Sequence, residues 1–390
     1  MVDMKMKKPT TGSKRQRAEL FNLAYNYFCG IKRAMSPLTT AEIKSAGFDP
    51  ATRPKNYVED NSEGWMQDST IFLKLNHLIV SGPAGTGKDI LIEAYCAAFN
   101  IPLARFAFKQ GTSPMDWVIR TVLREGKKGG TETKEVAGDL LRACRGVTVK
   151  RDYTSATPVQ LEKAVSSMRD KAGYTVEDNS GMLTITVPAV VLFSDYDRAT
   201  PQQVEILRQA LELDKEKFVH PITGEMFPIL KNTRFYFTAN SGADGDGGRG
   251  NIFQMKDSSL LSRMTGIFAP PPTPKFERMV VQAEFPQFSQ DEVKLLVDCN
   301  RAIRKVAEEQ AMGLEITLRQ AKQWGHACLQ VQEDLGITDF KKALKRSFVV
   351  IKGHLNEKHN QDALEGAIDP YLRSDVVDRE SREDICPIDM

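Results

Sequence analysis

The run Gly82-Pro83-Ala84-Gly85-Thr86-Gly87-Lys88 constrains this chain more than any other stretch. It follows the short apolar segment His77-Leu78-Ile79-Val80-Ser81 and precedes an amphipathic pattern over Ile90 to Phe99. A strand, a glycine-rich turn and a helix therefore succeed one another. Glycines let such a turn wrap an anion with successive backbone N–H groups. The start of the helix adds partial positive charge and Lys88 a full one. The spacing predicts a cradle for a polyphosphate, set at the end of a strand.

The segments that follow fit that setting. Leu103 to Phe108, Ala189 to Phe193 and Arg234 to Thr238 are short and, with the first strand, apolar enough to be buried on both faces. A fifth strand, Gly266 to Phe268, ends at Pro270-Pro271-Pro272-Thr273-Pro274, a cluster that continues neither a helix nor a central strand. Strands alternating with amphipathic helices predict an α/β fold with a parallel sheet covered by helices. Beyond the prolines the apolar spacing turns helical, as in Phe340, Leu344 and Phe348, which predicts a smaller all-helical lid. The expected divisions are an N-terminal appendage over residues 1–70, an α/β domain over 71–269 with an insertion at about 111–188, the lid over 275–372, and an acidic tail over 373–390. The appendage carries a helical pattern around Ala18 to Ile31 and a punctuated stretch from Pro37 to Pro54. Hairpin-like runs, Val147 to Tyr153 and Tyr174 to Val187, mark the insertion.

Charge narrows the function classes. The formal net charge is +2, from 53 basic and 51 acidic residues, so no global field draws the chain to nucleic acid or an anionic membrane. The basic N-terminal stretch and the acidic tail read as solvated ends. Six cysteines without CxxC pairing and five histidines without HExxH spacing argue against a structural metal cluster. With no apolar run long enough to span a bilayer and no signal-peptide pattern, the expected compartment is a reducing cytoplasm.

Gly82 to Lys88 has the spacing of a Walker A loop for ATP, with one departure. The Ser or Thr that ordinarily follows the lysine and lends its hydroxyl to Mg²⁺ is replaced by Asp89, ahead of Ile90. A carboxylate there can ligate Mg²⁺ or repel the phosphates. Where a Walker B strand carries Asp then Glu, the apolar run Val190 to Phe193 leads into Ser194-Asp195-Tyr196-Asp197, and two registers compete. In one, Asp195 directs the metal and Tyr196 stands where the glutamate belongs. In the other, Ser194 takes the aspartate position and Asp195 orients the attacking water. The second is favoured, because the apolar run then ends where the motif requires. Hydroxyl and carboxylate are then exchanged between positions 89 and 194, so Asp89, Ser194 and Asp195 form the expected metal set. The plain alternative is that Asp195 only caps the next helix.

Thr238-Ala239-Asn240 places an amide beside the strand carrying Asp195, and Asn240 looks like the sensor 1 residue of AAA+ ATPases. Ser258-Ser259-Leu260-Leu261-Ser262-Arg263-Met264 resembles the helix end that carries the arginine finger in MoxR-type and MCM-type members. Arg319, in Ile316 to Ala321, is similar to the sensor 2 arginine. The alternatives are a surface arginine at 263 and a solvated helical charge at 319. With Leu192 to Pro201 and Phe237 to Asn240, the chain most resembles the MoxR/CobS branch over roughly Leu75 to Val350. CobS is the AAA+ subunit of aerobic cobaltochelatase, and CobS-like chains also occur in bacteriophages.

That resemblance implies an ATP-driven ring, hexameric in the branch, which remodels a protein partner bearing a von Willebrand-type domain. The catalytic set it implies is Asp195, Asn240, Arg263 and Arg319. The segment Lys217 to Thr233, with a turn at Pro221 to Gly224, is a candidate for a loop facing the ring pore. The glycine-rich run Ser241 to Gly250 lacks the ligand spacing of a calcium loop and reads as a mobile loop at a subunit boundary. Two further readings stay open: a nucleotide-gated scaffold with weak hydrolysis, and, third, a nucleic-acid translocase.

Overall fold

The computed structural model describes residues 36–52, 54, 56–59, 64–108, 113, 115–125, 131–168, 174–211, 217–219, 224–240 and 258–373. The expected helix at Ala18 to Ile31, the turn residues Pro221 to Thr223, the run Ser241 to Gly250 and the acidic tail from Ser374 lie outside these residues. The chain divides into two compact units, one of residues 1–83 with 87–270, the other of 84–86 with 271–390.

The larger unit runs α1 (Thr40–Ser45), β1 (Asp49–Pro50), α2 (Trp65–Phe72), β2 (His77–Ser81), α3 (Lys88–Phe99), β3 (Pro102–Ala107), α4 (Met115–Val118), β4 (Ile119–Glu125), β5 (Thr131–Ala137), α5 (Asp139–Arg145), β6 (Val147–Asp152), α6 (Pro158–Met168), β7 (Thr175–Asn179), β8 (Met182–Val187), β9 (Val190–Ser194), α7 (Pro201–Ala210), β10 (Lys217–Val219), β11 (Met226–Pro228), β12 (Arg234–Ala239), α8 (Ser258–Leu261) and β13 (Met264–Phe268). A 3₁₀ turn over Tyr196–Arg198 follows β9.

The main sheet has the order β1-β3-β9-β12-β2-β13. Its five long strands are parallel, and β1 joins β3 antiparallel at one edge. The inner strands β2, β9 and β12 are buried nearly throughout, because helices cover both faces of the sheet. The expectation of burial on both faces fails for β3, whose last residues alternate between half-buried and exposed. Among the described residues, only the two-residue β1 pairs with its outer edge.

Described segments of the expected appendage contribute elements to the larger unit. The Asp49–Pro50 bridge extends the sheet, α1 buries Ile43, and α2 buries Trp65 and Met66. A two-residue strand ending in proline carries no period-2 signal, which hides it from a sequence reading.

The inserted region builds a β4–β5 hairpin and a three-stranded sheet of order β6-β8-β7. β7 and β8 form a hairpin through Ser180 and Gly181, both at positive φ, and β6 pairs with β8 rather than standing as a separate hairpin. Val147, Leu183, Ile185 and Val187 bury one face of this sheet in the core of the unit. That core gathers around Phe193, whose ring stacks on Phe106 at 4.9 Å and on Phe237 at 5.1 Å between ring centres.

The second unit is helical: α9 (Pro274–Glu284), α10 (Gln290–Glu309), α11 (Leu318–Leu335), α12 (Phe340–Ser347), α13 (Val349–Lys352) and α14 (Lys358–Leu372). Capping boxes at Ser289 and Thr317 start α10 and α11 by satisfying otherwise orphaned backbone N–H groups. Trp324, Phe285 and Phe348 form its core. The fully buried Glu277 carboxylate is clamped by Arg301 at 3.2 Å and Arg304 at 2.8 Å, which compensates a charge too costly to bury alone.

Candidate functional site

Because β2, β9 and β12 run parallel and adjacent, their C-terminal ends share one rim of the sheet. That rim is where open α/β sheets bind ligands. β2 delivers Gly82, β9 delivers Ser194 and Asp195, and β12 delivers Asn240 to it.

Gly82 sits at φ 151°, and its N–H donates to the Ala239 carbonyl at 3.2 Å. A Cβ here would lie 2.1 Å from the Ala269 carbonyl oxygen, so only glycine fits. Gly85 and Gly87 are also at positive φ, and Gly87 caps the N-terminus of α3. The helix begins at Lys88, two residues before the Ile90 start read from its apolar pattern. Asp89 therefore falls in its first turn, where a negative charge suits the helix dipole. Ile90 is exposed. The Lys88 side chain is buried, and its Nζ donates to the Gly82 carbonyl at 2.9 Å and the Pro83 carbonyl at 2.7 Å. The ammonium is thereby held inside the loop it closes. From below, the Tyr236 hydroxyl donates to the Lys88 carbonyl at 3.1 Å. Burial, then the neighbouring Asp89 and Tyr57, hold that phenol well above its ordinary pKa, so it stays a donor.

Ser194 Oγ donates to Asp89 Oδ2 at 2.8 Å. The two positions whose side-chain types are exchanged thus meet across the rim. Asn240 Nδ2 donates to Asp195 Oδ1 at 3.2 Å, which joins the third and fourth strands. Asp195 adopts a left-handed conformation, φ 59° and ψ 49°, and makes no side-chain cap to the turn after it. Its carboxylate is turned to Asn240 instead, at a backbone cost of order 1–3 kcal/mol for such strain. Glu93, one turn along α3 from Asp89, pairs with Arg105 at 3.3 Å. Burial raises the Glu93 pKa, Arg105 lowers it and Asp89 raises it, for a net upward shift.

The donors fit a hard divalent cation by chemistry, since carboxylate and hydroxyl oxygens suit Mg²⁺ and Asp89 and Ser194 already touch. Among the described residues, no group of three or more His, Cys, Asp or Glu side chains gathers as a metal site, so water or a bound phosphate would supply the rest of such an ion's shell.

Arg263 stands apart. It precedes β13, whose Met264 pairs with His77 at the start of β2, while Phe268 pairs with Ser81 at its end. The Arg263 backbone therefore lies at the opposite rim, roughly 20 Å from the loop at about 3.3 Å per residue. Its guanidinium hydrogen-bonds to the Ser259 carbonyl and to Ser259 Oγ. Arg319 belongs to the helical unit, where it is exposed in the first turn of α11 and its N–H donates to Thr317 Oγ1 at 3.1 Å. Sequence reasoning left Asp197 without a role. The structure buries it, with both oxygens 3.1 Å from the Asn240 backbone nitrogen.

The strand order and the glycine-rich loop at its rim define an α/β fold with a mostly parallel sheet and a P-loop-like turn, followed by a helical C-terminal region. Compared with known proteins, the chain matches no family model and no curated protein. Among solved structures it is similar to the Thermotoga maritima RuvB Holliday junction branch migration motor, with a TM-score of 0.42 and 11% identity over 77% of this chain and 73% of that one. Two single-substitution variants of the same motor match with TM-scores of 0.42 and 0.41, at the same identity and coverage. Among the described residues no helix is long and apolar enough to cross a membrane.

Proposed function

We propose that this chain is an ATPase that binds ATP with Mg²⁺ at the Gly82 to Lys88 loop and hydrolyses it only when neighbouring copies assemble. The observation that carries the proposal is the gathering of Lys88, the Asp89–Ser194 pair and the Asp195–Asn240 pair at one sheet rim. In this reading residues 71–269 form the ATPase domain, with 111–188 inserted, and 275–372 form the lid. The backbone N–H groups from Gly82 to Gly87 grip the phosphates, and Lys88 trades its carbonyl partners for phosphate oxygens. Asp89 and Ser194 would hold Mg²⁺, and the ion would supply charge neutralisation at the phosphate oxygens. Asp195 orients the attacking water and Asn240 fixes the Asp195 carboxylate.

Arg263, on the far rim of its own sheet, serves a neighbour's pocket as an arginine finger. Arg319 sits at the positive end of α11, where the helix dipole disfavours a cation. That placement suits a phosphate-sensing role better than a solvated surface charge.

The finer reading is a ring motor of MoxR/CobS kind, hexameric and acting on a protein with a von Willebrand-type domain. It is supported by the β10–β11 hairpin, whose cross-strand pair Val219 and Met226 is 40% and 61% exposed over buried Phe218 and Phe227. A second reading, a nucleotide-gated scaffold with little hydrolysis, is favoured by the carboxylate of Asp89 beside the phosphates. Purified full-length chain decides between them. Turnover per subunit that rises with protein concentration supports the motor, and assembly on ATP without turnover supports the scaffold. Failure to bind adenine nucleotide, with or without Mg²⁺, refutes both.

A further inference from the structure

Asp197 holds the most specific set of contacts that neither the sequence motifs nor the proposed mechanism uses. It is 4% exposed, yet it is an aspartate, in the middle of the 3₁₀ turn Tyr196–Arg198 that follows β9. Both its carboxylate oxygens lie 3.1 Å from one donor, the backbone N–H of Asn240. That N–H belongs to the first residue after β12, where the sheet ladder ends and backbone donors lose their strand partners.

The placement of Asp197 is itself fixed. The 3₁₀ turn closes through Arg198 N–H to the Asp195 carbonyl at 2.9 Å and Ala199 N–H to the Tyr196 carbonyl at 3.0 Å. Between them Tyr196 is buried edge-on against Phe237 at 5.6 Å and Phe108 at 5.7 Å. The strained left-handed Asp195 turns its carboxylate one way, and the turn carries Asp197 back under β12. Two aspartates two residues apart thus grip one asparagine, Asp197 by its backbone and Asp195 by its side-chain amide.

Resting on the ATPase reading, we infer that Asp197 is a positioning residue for hydrolysis. It clamps the Asn240 backbone so that the Asn240 amide is aimed at Asp195, the residue proposed to orient water. Asp197 touches neither nucleotide nor water in this role. Losing it frees Asn240 at the end of β12 and misaims Asp195, while the phosphate loop, built from β2 and α3, keeps its grip.

The test uses the full chain and compares Asp197→Ala, Asp197→Asn and Asn240→Ala, singly and as the Asp197→Ala/Asn240→Ala double. Asp197→Ala is expected to lower kcat on the order of 100-fold, the scale of a small misplacement of a reacting group, with nucleotide affinity within about threefold of wild type. Asp197→Asn keeps one acceptor oxygen and is expected to recover most of the rate. In the Asn240→Ala background, Asp197→Ala is expected to add little, because both changes remove one device. The inference is overturned if Asp197→Ala keeps the wild-type rate, if affinity and rate fall together, or if the losses multiply. Should Asp197→Ala not fold, Asp197→Leu, which keeps the side-chain shape and has no acceptor oxygen, decides through the same split of kcat from affinity and the same double with Asn240→Ala. If the wild-type chain binds ATP but shows no turnover, the hydrolysis reading has failed. The clamp is then read from the Asn240 side-chain amide resonance, which Asp197→Ala should shift and Asp197→Asn should leave in place; a resonance unmoved by Asp197→Ala overturns the inference.

Discussion

Ser194 Oγ lies 2.8 Å from Asp89 Oδ2, a hydrogen bond between the end of β9 and the first turn of α3. In the register favoured by the sequence, serine and aspartate each occupy the position where the ordinary motif has the other. Their contact makes the exchange a single unit, and restoring both residues should be gentler than restoring one. Asp89→Thr with Ser194→Asp is expected to keep ATP turnover within about tenfold of wild type, while each single change loses more, since coupled neighbours do not add. Asp89→Thr alone leaves no carboxylate in the pair, and Ser194→Asp alone sets two against each other. Steady-state ATPase rates for the four proteins check this, and losses that simply multiply would refute it.

Arg263 is expected to matter for rate and not for binding. Arg263→Ala should cut turnover by about 10³-fold, the usual worth of an arginine finger, and leave nucleotide affinity nearly unchanged. Mixing it with a chain carrying Lys88→Ala should restore measurable turnover, because each supplies what the other lacks. Absence of complementation at concentrations where wild type assembles would count against action in trans.

Asp195 combines a strained backbone with the proposed role of orienting water, and the two can be separated. Asparagine tolerates the left-handed region and keeps an oxygen for Asn240 Nδ2, so Asp195→Asn should lower turnover with little change in melting temperature. Asp195→Gly should likewise fold well and lose turnover. Asp195→Val should do both harms, costing on the order of 1–3 kcal/mol of stability as well. Paired melting and ATPase measurements distinguish these outcomes.

His77 is 3% exposed, and its Nδ1 accepts the Phe235 backbone N–H at 3.2 Å. Burial, then nearby Arg234, lowers its pKa from 6.5 to about 3. The unfolded chain therefore takes up a proton below pH 6.5 that the folded chain refuses, and stability falls as pH drops through that range. Between pH 7.5 and pH 5 the loss from this group is about 2 kcal/mol. Denaturant melts at the two pH values should show it, and His77→Asn, which retains an acceptor, should flatten the dependence. Equal slopes in both proteins would refute the assignment.

The phosphate loop and the inner strands were legible because their signals are local. The three buried strands β2, β9 and β12 carry apolar runs, and a glycine such as Gly82 is demanded by one close approach, to the Ala269 carbonyl. The helix α3 was read two residues short, since Lys88 and Asp89 are polar and carry no periodicity. Asp197 was invisible for another reason. Its partner is a backbone N–H at the end of a strand far along the chain, and no spacing in sequence encodes that meeting. The edge strand Asp49–Pro50 and the β6–β8 pairing were hidden likewise, being choices of tertiary contact over short and ambiguous segments.

The two rims of the main sheet give each molecule a head and a tail. If Arg263 completes a neighbour's pocket by a head-to-tail contact, the surface that gives differs from the surface that receives. Copies must then follow one another in a single rotational sense, and every open row leaves one pocket at its end without a finger. Only a closed circle has no idle member, so specific activity should climb in a step when the circle shuts and not in proportion to chain number.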